Sequence, residues 1–323
     1  MTNVILDAYE STPLVWSSHQ TLEEMIADLL AQVQAMSQVD ITVIGGYHDF
    51  SDMNIRSLDM GGFNAYVSAE TIENVEMTGS FGYLNTDELV KSADIAGDYN
   101  GVFARDAVGV TITIDDANSA SFYSYDFEDG VVSVHDSVAT NIYTTDADSA
   151  SYGFSNSDDS YVRIEGNGVE VQSWFSSFDT LQLRGEDANV NLVYSQVNDF
   201  EVGRWGEVDL FRSFVNGEVG FGTEVSATSS EVILELAGNN DVTITRGQAL
   251  IDAQNGYVDH FVFKDGAQVD GQFDGFDEFQ MASGAIWTAD KLTSQYDSGE
   301  TAYVDAGQFE LGAIVFDDYY MYG

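Results

Sequence analysis

Residues 189–222 read NVNLVYSQVNDFEVGRWGEVDLFRSFVNGEVGFG, and one pattern occurs in them twice. Val190 and Ser195 recur as Val208 and Ser213, with the same separation between the members of each pair. A duplication of this kind is either local or one turn of a structure that repeats through most of the protein. Only the second possibility predicts that the spacing continues outside this stretch.

The spacing continues in two series of apolar residues. The leading members of the first are Ile112, Val132, Tyr152, Val169, Val190, Val208 and Val232, and the second comprises Phe122, Ile142, Val162, Leu181, Phe200, Val219, Val242 and Phe261. Successive members lie about 20 residues apart, which is the length of a short solenoid repeat. A coil of that length with two or three short strands cannot bury its own apolar side chains, so it must stack on the next coil. The period therefore predicts a β-solenoid.

This pattern resembles the parallel β-helices of bacterial and phage surface proteins. The resemblance implies coils of parallel strands stacked about 4.8 Å apart, with Val, Ile, Leu and Phe inside. A β-sandwich with a strand every ~8–12 residues is the alternative, but it does not explain two registers held over several repeats. We predict an all-β, parallel β-solenoid with coils of about 20 residues.

The change in composition along the chain divides it into three predicted regions. Residues 1–39 are predicted to hold a strand and an amphipathic helix, residues 40–268 the solenoid, and residues 269–323 further coils or an edge hairpin. Thr21 and Glu24 have the spacing of a capping box at the start of the helix. The helix either caps the open end of the solenoid or inserts into a neighbouring subunit.

Charge and composition limit the partners. The formal net charge is −45, from 55 acidic residues against 10 Lys and Arg. Nucleic acid and anionic membrane surfaces are excluded as partners, because binding them requires clustered basic residues. The sequence has no cysteine and no apolar stretch of the about 20 residues that a membrane helix needs.

The expected location is extracellular or at the cell surface, reached without an N-terminal signal peptide. The first residues have neither a basic n-region nor a long apolar h-region. The last residues, GAIVFDDYYMYG, resemble the acidic, apolar tails of proteins exported by bacterial type I systems. A buried final strand explains the same residues. A cytosolic protein of a halophile is a further alternative, in which the acidity reflects adaptation to salt.

A calcium site is predicted where acids recur at the coil period. Asp126 and Glu128 precede Asp146 and Asp148 by one period, so stacking brings four carboxylates onto neighbouring coils. Their mutual repulsion would be relieved by Ca²⁺, which prefers several oxygen ligands. Alternatively, these side chains extend into water from an exposed turn.

A second column with the same period comprises Asp116, Asp136 and Asn156. Asp116 and Asp136 are secondary candidates for the metal site. Side chains of this type at a solenoid corner also commonly hydrogen-bond the backbone of the turn, which is the alternative reading.

Catalytic motifs are weak. The pairs Asp115-Asp116 and Asp158-Asp159 have the residue types of a glycosidase, and Arg163, Arg184, Arg204 and Arg212 are the candidates for a lyase base. Adjacent acids arise readily by chance among 55 of them, and the four histidines have no zinc-site spacing. Trp174, Phe175 and Phe178 either form an exposed sugar-stacking platform, or they pack inward or belong to a bulge. We predict that the chain is not an enzyme.

The predicted function is that of an extracellular structural protein. Its copies would assemble into a homo-oligomer, such as a filament, surface layer or matrix, stabilised by cations such as Ca²⁺. The alternative is a solenoid that binds or degrades a surface polysaccharide.

Overall fold

The computed structural model describes residues 4–8, 39–253, 257–273, 278–281, 286–294, 302–304, 308–311 and 314–316. In these residues the chain is all-β, and parallel strands wind into a β-solenoid of about 12 turns without any helix. The prediction of a parallel β-solenoid is confirmed. The predicted helix near residues 21–37 lies outside the described residues. The contacts divide the chain into two compact units, Met1–Ala147 and Asp148–Gly323.

The first unit begins with long strands, which later divide into two short strands per coil. Its strands are β1 (Val4–Ala8), β2 (Val39–Val43), β3 (Gly46–Met60), β4 (Ala65–Met77), β5 (Tyr83–Asp98), β6 (Gly101–Asp106), β7 (Thr111–Asn118), β8 (Ser121–Asp126), β9 (Val131–His135) and β10 (Asn141–Thr144). From β2 to β5 each strand pairs parallel with the next, and β5 then pairs with both β6 and β7. β1 pairs antiparallel with β2, and this pairing covers one edge of β2.

The second unit has two columns of strands. Its strands are β11 (Ser151–Ser155), β12 (Ser160–Glu165), β13 (Glu170–Trp174), β14 (Ser177–Glu186), β15 (Asn189–Val193), β16 (Gln196–Arg204), β17 (Glu207–Phe211), β18 (Phe214–Val219), β19 (Glu224–Thr228), β20 (Glu231–Leu236), β21 (Asp241–Thr245), β22 (Gln248–Ala253), β23 (His260–Lys264), β24 (Gln268–Phe273), β25 (Glu278–Met281), β26 (Ile286–Ser294), β27 (Ala302–Val304), β28 (Gln308–Leu311) and β29 (Ile314–Phe316). Odd-numbered strands from β11 to β27 form one parallel column. Even-numbered strands from β12 to β28 form the other, and β29 also pairs parallel with β26.

The core consists of the side chains that alternate inward along each short strand. In β9, Val132 and Val134 are buried, whereas Val131, Ser133 and His135 are exposed. Alternation with a period of two places one face of every strand inside the coil. Each fully buried Val, Leu or Phe contributes roughly 1.5–3 kcal/mol relative to an exposed one.

The first predicted series is wrong at two of its members. Val171, not Val169, lies opposite Tyr152, and Val232 lies opposite Val215 in the even-numbered column of strands. Val190 lies opposite Val171 and Val208, not opposite Val169. Val208 in turn lies opposite Val225. The coils that run from Val171 to Val190, from Val190 to Val208 and from Val208 to Val225 therefore become one residue shorter at each step. A shift of two residues keeps the same face inward, so alternation in the sequence does not reveal it.

The second predicted series has the same kind of error. Phe200 lies opposite Gly217 rather than Val219, because a register shift interrupts the pairing of β16 with β18. Val242 and Phe261 lie opposite each other, but in the odd-numbered column of strands. Gly217 occupies the position opposite Phe200, where the series predicted an apolar side chain.

The coils turn at residues in the left-handed conformation. In the first unit, one column comprises Asn64, Phe81, Tyr99, Ser119 and Ala139, and another comprises Asp116 and Asp136. In the second unit, one column comprises Asn156, Phe175, Tyr194, Arg212, Ser229, Arg246 and Asp265, and another comprises Asp187, Trp205 and Asn239. These residues keep their coil-to-coil hydrogen bonds: the Phe81 N–H donates to Asp98 O at 2.9 Å. Their side chains therefore mark the outer corners of the solenoid.

Candidate functional site

Three of the predicted metal ligands lie in the first unit. Asp126 ends β8 and is half-buried, whereas Glu128 and Asp146 are exposed in the turns that follow β8 and β10. The pairing of β10 with β8 places Asp146 on the coil next to Asp126, as its spacing predicted. Asp148 is the first residue of the second unit.

The column that contains Asp126 also includes acids that the sequence reading missed. Asp106 lies directly opposite Asp126, and Glu88 lies opposite Asp106. Glu88 was hidden because it lies in β5, a strand that spans a whole coil and obscures the repeat. Asp106 and Asp126 lie one coil period apart in the sequence, and this spacing could have identified Asp106.

Asp148 has a structural contact in the second unit. Its Oδ1 accepts the backbone N–H of Asn167 at 2.7 Å and the Asn167 Nδ2–H at 3.2 Å. Across the described parts of the chain, no group of three or more His, Asp or Glu side chains is arranged to hold a metal ion. Calcium binding at the four predicted acids stays a prediction.

The residues of the second predicted acid column lie at corners of the solenoid, Asp116 and Asp136 in the first unit and Asn156 in the second. Asp116, Asp136 and Asn156 have φ angles of 48°, 46° and 50°, a region in which Asp and Asn are several-fold enriched. Their side chains are exposed. His135 lies between Asp136 and Asp115, which is the neighbour of Asp116, with its Nδ1 3.0 Å from Asp136 Oδ2 and 3.1 Å from Asp115 Oδ1.

Buried serines make the hydrogen bonds that the Asp and Asn column was expected to make. A buried serine follows several of the corner residues: Ser137 in the first unit, and a column of Ser157, Ser176, Ser195, Ser213 and Ser230 in the second. Ser213 Oγ accepts the N–H of Ser195 at 3.1 Å and donates to Leu192 O at 2.9 Å. The Ser195 and Ser213 pair of the opening repeat belongs to this column, which satisfies the buried backbone of the corner.

Several of the residues considered for catalysis have structural partners. Arg163 pairs with Glu165 at 2.5 Å, and Arg184 pairs with Glu201 at 3.2 Å. Asp158 Oδ1 accepts the hydroxyl of a serine on the next coil at 3.2 Å. These contacts fit the reading of lone arginines as ion-pairing residues.

The residues of the predicted aromatic platform span the corner between β13 and β14, and they differ in burial. Phe178 is fully buried, whereas Trp174 and Phe175 are exposed. Phe175 stacks on Tyr194 of the next coil, with ring centroids 5.0 Å apart and planes 9° apart. Arg212 covers the other side of Tyr194 with its guanidinium carbon 5.4 Å from the ring centroid.

A larger exposed aromatic surface, the aromatic corner, lies in the first unit. It consists of two columns that flank one turn of the coil: Phe63, Phe81 and Tyr99, and Tyr47, Tyr66 and Tyr83. Neighbouring rings within each column lie 4.9 to 5.3 Å apart. Burial, together with the nearby Tyr66 and Tyr123, raises the pKa of Tyr83 above its usual value.

The aromatic corner remains open to solvent. Tyr47 and Phe63 are each 68% exposed, and Tyr99 is 52% exposed. Soluble monomers rarely expose a large contiguous apolar patch without a partner for it. The signal in the sequence was the return of an aromatic residue once per coil, as from Phe63 to Phe81 and Tyr99.

A groove of about 620 Å³ lies on the second unit. One wall carries Glu201, Glu218 and Glu235, which lie opposite one another on successive coils. The other wall carries Phe221 and Tyr257, whose rings meet edge to face at 5.4 Å. We call this feature the acidic-aromatic groove.

Comparison of the chain with protein-family models, with curated proteins and with solved structures finds no match. Within the described residues, no helix has the length and apolarity to cross a membrane. The geometry of the two exposed surfaces is therefore the basis on which a function is inferred.

Proposed function

We propose that the chain is a structural protein of the cell exterior whose copies associate through the aromatic corner. The observation that carries this proposal is the presence of bulky, exposed rings at backbone positions that disfavour them. Phe81 and Tyr99 have φ angles of 57° and 58°.

The fold requires left-handed backbone at this corner, but it does not require an aromatic residue there. Left-handed backbone costs a residue with a Cβ roughly 1–2 kcal/mol, and Asn tolerates it best among them. Asn64 occupies the same corner column at a φ of 55°. Strained residues of this kind are characteristic of binding surfaces, where the contact they make compensates for the strain.

The partner we propose is a second copy of the chain. At a net charge of −45, two copies repel each other, and their contact is most favourable where uncharged surface dominates. The aromatic corner is such a surface, because all six of its members are Phe or Tyr. A cationic partner, in contrast, would be attracted to the many acidic positions and would need no aromatic rings.

Cations and export belong to the same proposal. Dense carboxylates keep like-charged copies apart unless salt or a divalent cation such as Ca²⁺ screens them. The absence of cysteine and the excess of acids over bases support a location outside the cell. Association should therefore increase with ionic strength, which is opposite to the behaviour of an interface formed by salt bridges.

The test is sedimentation velocity of the full chain at low and high salt, with the double variant Phe81→Asn, Tyr99→Asn for comparison. Each substitution relieves strain of about 1–2 kcal/mol and removes aromatic contacts worth about 0.5–1.5 kcal/mol. These effects nearly cancel, so the variant should fold with a similar melting temperature. We expect the wild type to associate increasingly as salt is raised and the variant to remain smaller.

Ser119→Asn is the matched control, since Ser119 lies in the same left-handed column but carries no ring. It should associate like the wild type. A wild-type chain that sediments as a monomer at every salt concentration, with or without calcium, would show that the proposal is wrong. Equal association of the wild type and the double variant would exclude the aromatic corner as the interface.

A further inference from the structure

We propose that the acidic-aromatic groove of the second unit binds an uncharged, extended hexose polysaccharide lying along the axis of that unit. This inference does not rest on association through the aromatic corner, which belongs to the first unit. It rests on three surfaces that differ in chemistry and meet in one concavity.

The floor of the groove carries almost no side chains. Gly203, Gly220 and Ala237 follow one another on successive coils, with the Gly220 N–H donating to Val202 O at 2.9 Å. A Cβ on Gly220 would lie 2.2 Å from Gly203 O, so the coils approach too closely there for a larger residue. The result is a strip of bare backbone between the two walls.

The acidic wall repeats once per coil. Glu201 lies opposite Glu218, and Glu218 lies opposite Glu235, so their carboxylates follow the strand spacing of about 4.8 Å. That spacing is close to the length of one hexose unit in an extended β-linked chain. Arg184 holds one oxygen of Glu201, whereas Glu218 and Glu235 are exposed and can each offer a carboxylate to the hydroxyls of one sugar. Such hydrogen bonds are roughly twice as strong as neutral ones.

The aromatic wall faces a different part of the same ligand. Phe221 meets Trp205 at 5.4 Å with planes 87° apart and meets Tyr257 at 5.4 Å with planes 83° apart. In an edge-to-face pair one ring keeps a face that its neighbour does not cover. A hexose presents hydroxyls at its rim and C–H groups on its face, which fits a groove with carboxylates on one side and rings on the other.

The charge of the groove decides between classes of polysaccharide. Arg204 is its one basic lining residue against three glutamates, so a chain of uronates or sulfated sugars would be repelled. A polycation would be attracted to acidic positions generally and would not depend on the aromatic wall. The volume of about 620 Å³ lies within the range of about 300–1,000 Å³ typical of ligand sites.

The test is affinity electrophoresis of the full chain in native gels containing one soluble polysaccharide each: hydroxyethyl cellulose, glucomannan, laminarin, polygalacturonate or chitosan. We expect at least one of the three uncharged polymers to retard the wild type. Tyr257→Ala should weaken that binding about fivefold, the effect of losing about 1 kcal/mol of ring contact. Glu218→Gln should weaken it by a similar factor, since it retains the shape but loses the charge.

Matched controls separate this binding from general effects of charge and folding. Glu224→Gln makes the same charge change at an exposed position of β19, and Tyr161→Ala removes an exposed ring from β12. Both should be retarded like the wild type. The proposal is overturned if no uncharged polymer retards the chain, if only chitosan does, or if Tyr257→Ala and Glu218→Gln bind as well as the controls.

Discussion

At the scale of single residues, hydrogen bonding explains why a column of serines is buried inside the solenoid core. Each of these serines follows a left-handed corner residue, and the N–H groups of Ser157, Ser176, Ser195 and Ser213 each donate to the serine Oγ of the next coil. Ser213 Oγ accepts one such N–H from Ser195 and donates its one proton to the carbonyl oxygen of Leu192 at 2.9 Å. The hydroxyl thus satisfies a donor and an acceptor of the neighbouring coil, which an apolar residue of similar size would leave unpaired.

Ser213→Ala should therefore destabilise the protein more than its small change in volume suggests. It leaves the buried N–H of Ser195 without its acceptor, at a cost of about 1–3 kcal/mol. Urea unfolding followed by circular dichroism should show a lower midpoint for this variant. Ser226→Ala, at an outward position of β19, is the control and should change stability by less than about 0.5 kcal/mol. Equal midpoints for the two variants would show that the serine column contributes no stability.

At the scale of strands and turns, the sequence predicts the coil but not its register. The inward positions of β15 and β17 follow from the spacing of Val190 and Val208, and their pairing is confirmed. The register fails where the coils become shorter, because apolar alternation is unchanged by steps of two. Long strands such as β5 conceal the repeat altogether, so Glu88 was missed.

The corners illustrate a second limit of prediction. Asp116, Asp136 and Asn156 could be recognised as a column because Asp and Asn favour the left-handed region. In the second unit the column of Asn156 continues through Phe175 and Tyr194, residue types that do not signal this conformation. Tertiary pairing between coils imposes the turn on them, so no local pattern predicts it. The rings of the aromatic corner recur once per coil, but Phe and Tyr do not signal a left-handed, outward-facing position, so the corner was missed.

Gly217 of strand β18 lies where the backbones of two neighbouring coils approach closely, and this contact can be tested. A Cβ on Gly217 would lie 1.9 Å from Phe200 O and 2.6 Å from its carbonyl carbon, so the backbone would have to move. Gly217→Ala should lower the melting temperature by several degrees, as expected for a loss of about 1–3 kcal/mol through overpacking. The measurement is thermal unfolding followed by circular dichroism.

Gly109→Asn is the control for that change. Gly109 has a φ of 67°, and a Cβ there would meet nothing within 4 Å. Asn tolerates this backbone conformation, so the melting temperature should stay close to that of the wild type. If Gly217→Ala melted at the same temperature as this control, close packing between β16 and β18 could not explain the glycine.

At the scale of the whole molecule, stacking turns a net charge of −45 into columns of like charge. Asp106 and Asp126 lie opposite each other in the first unit, as do Glu207 and Glu224 in the second. Neighbours in such columns are separated by about 5 Å, which is shorter than the Debye length of about 10 Å at 0.1 M salt. At 1 M salt that length falls to about 3 Å, so the repulsion is largely screened.

Screening and specific calcium binding predict different effects on stability. Sodium chloride should raise the melting temperature steadily between about 0.1 and 1 M, because it acts on every acidic column. A bound Ca²⁺ ion should add to this at matched ionic strength, by about 2.7 kcal/mol when its concentration is about 100 times its dissociation constant. The triple variant Asp126→Asn, Glu128→Gln, Asp146→Asn should lose the added calcium effect. The control Glu207→Gln, Glu224→Gln, Asp241→Asn removes the same charge and should keep it. If calcium and sodium chloride stabilise the wild type equally, the carboxylates act only through their charge, and the predicted metal site is wrong.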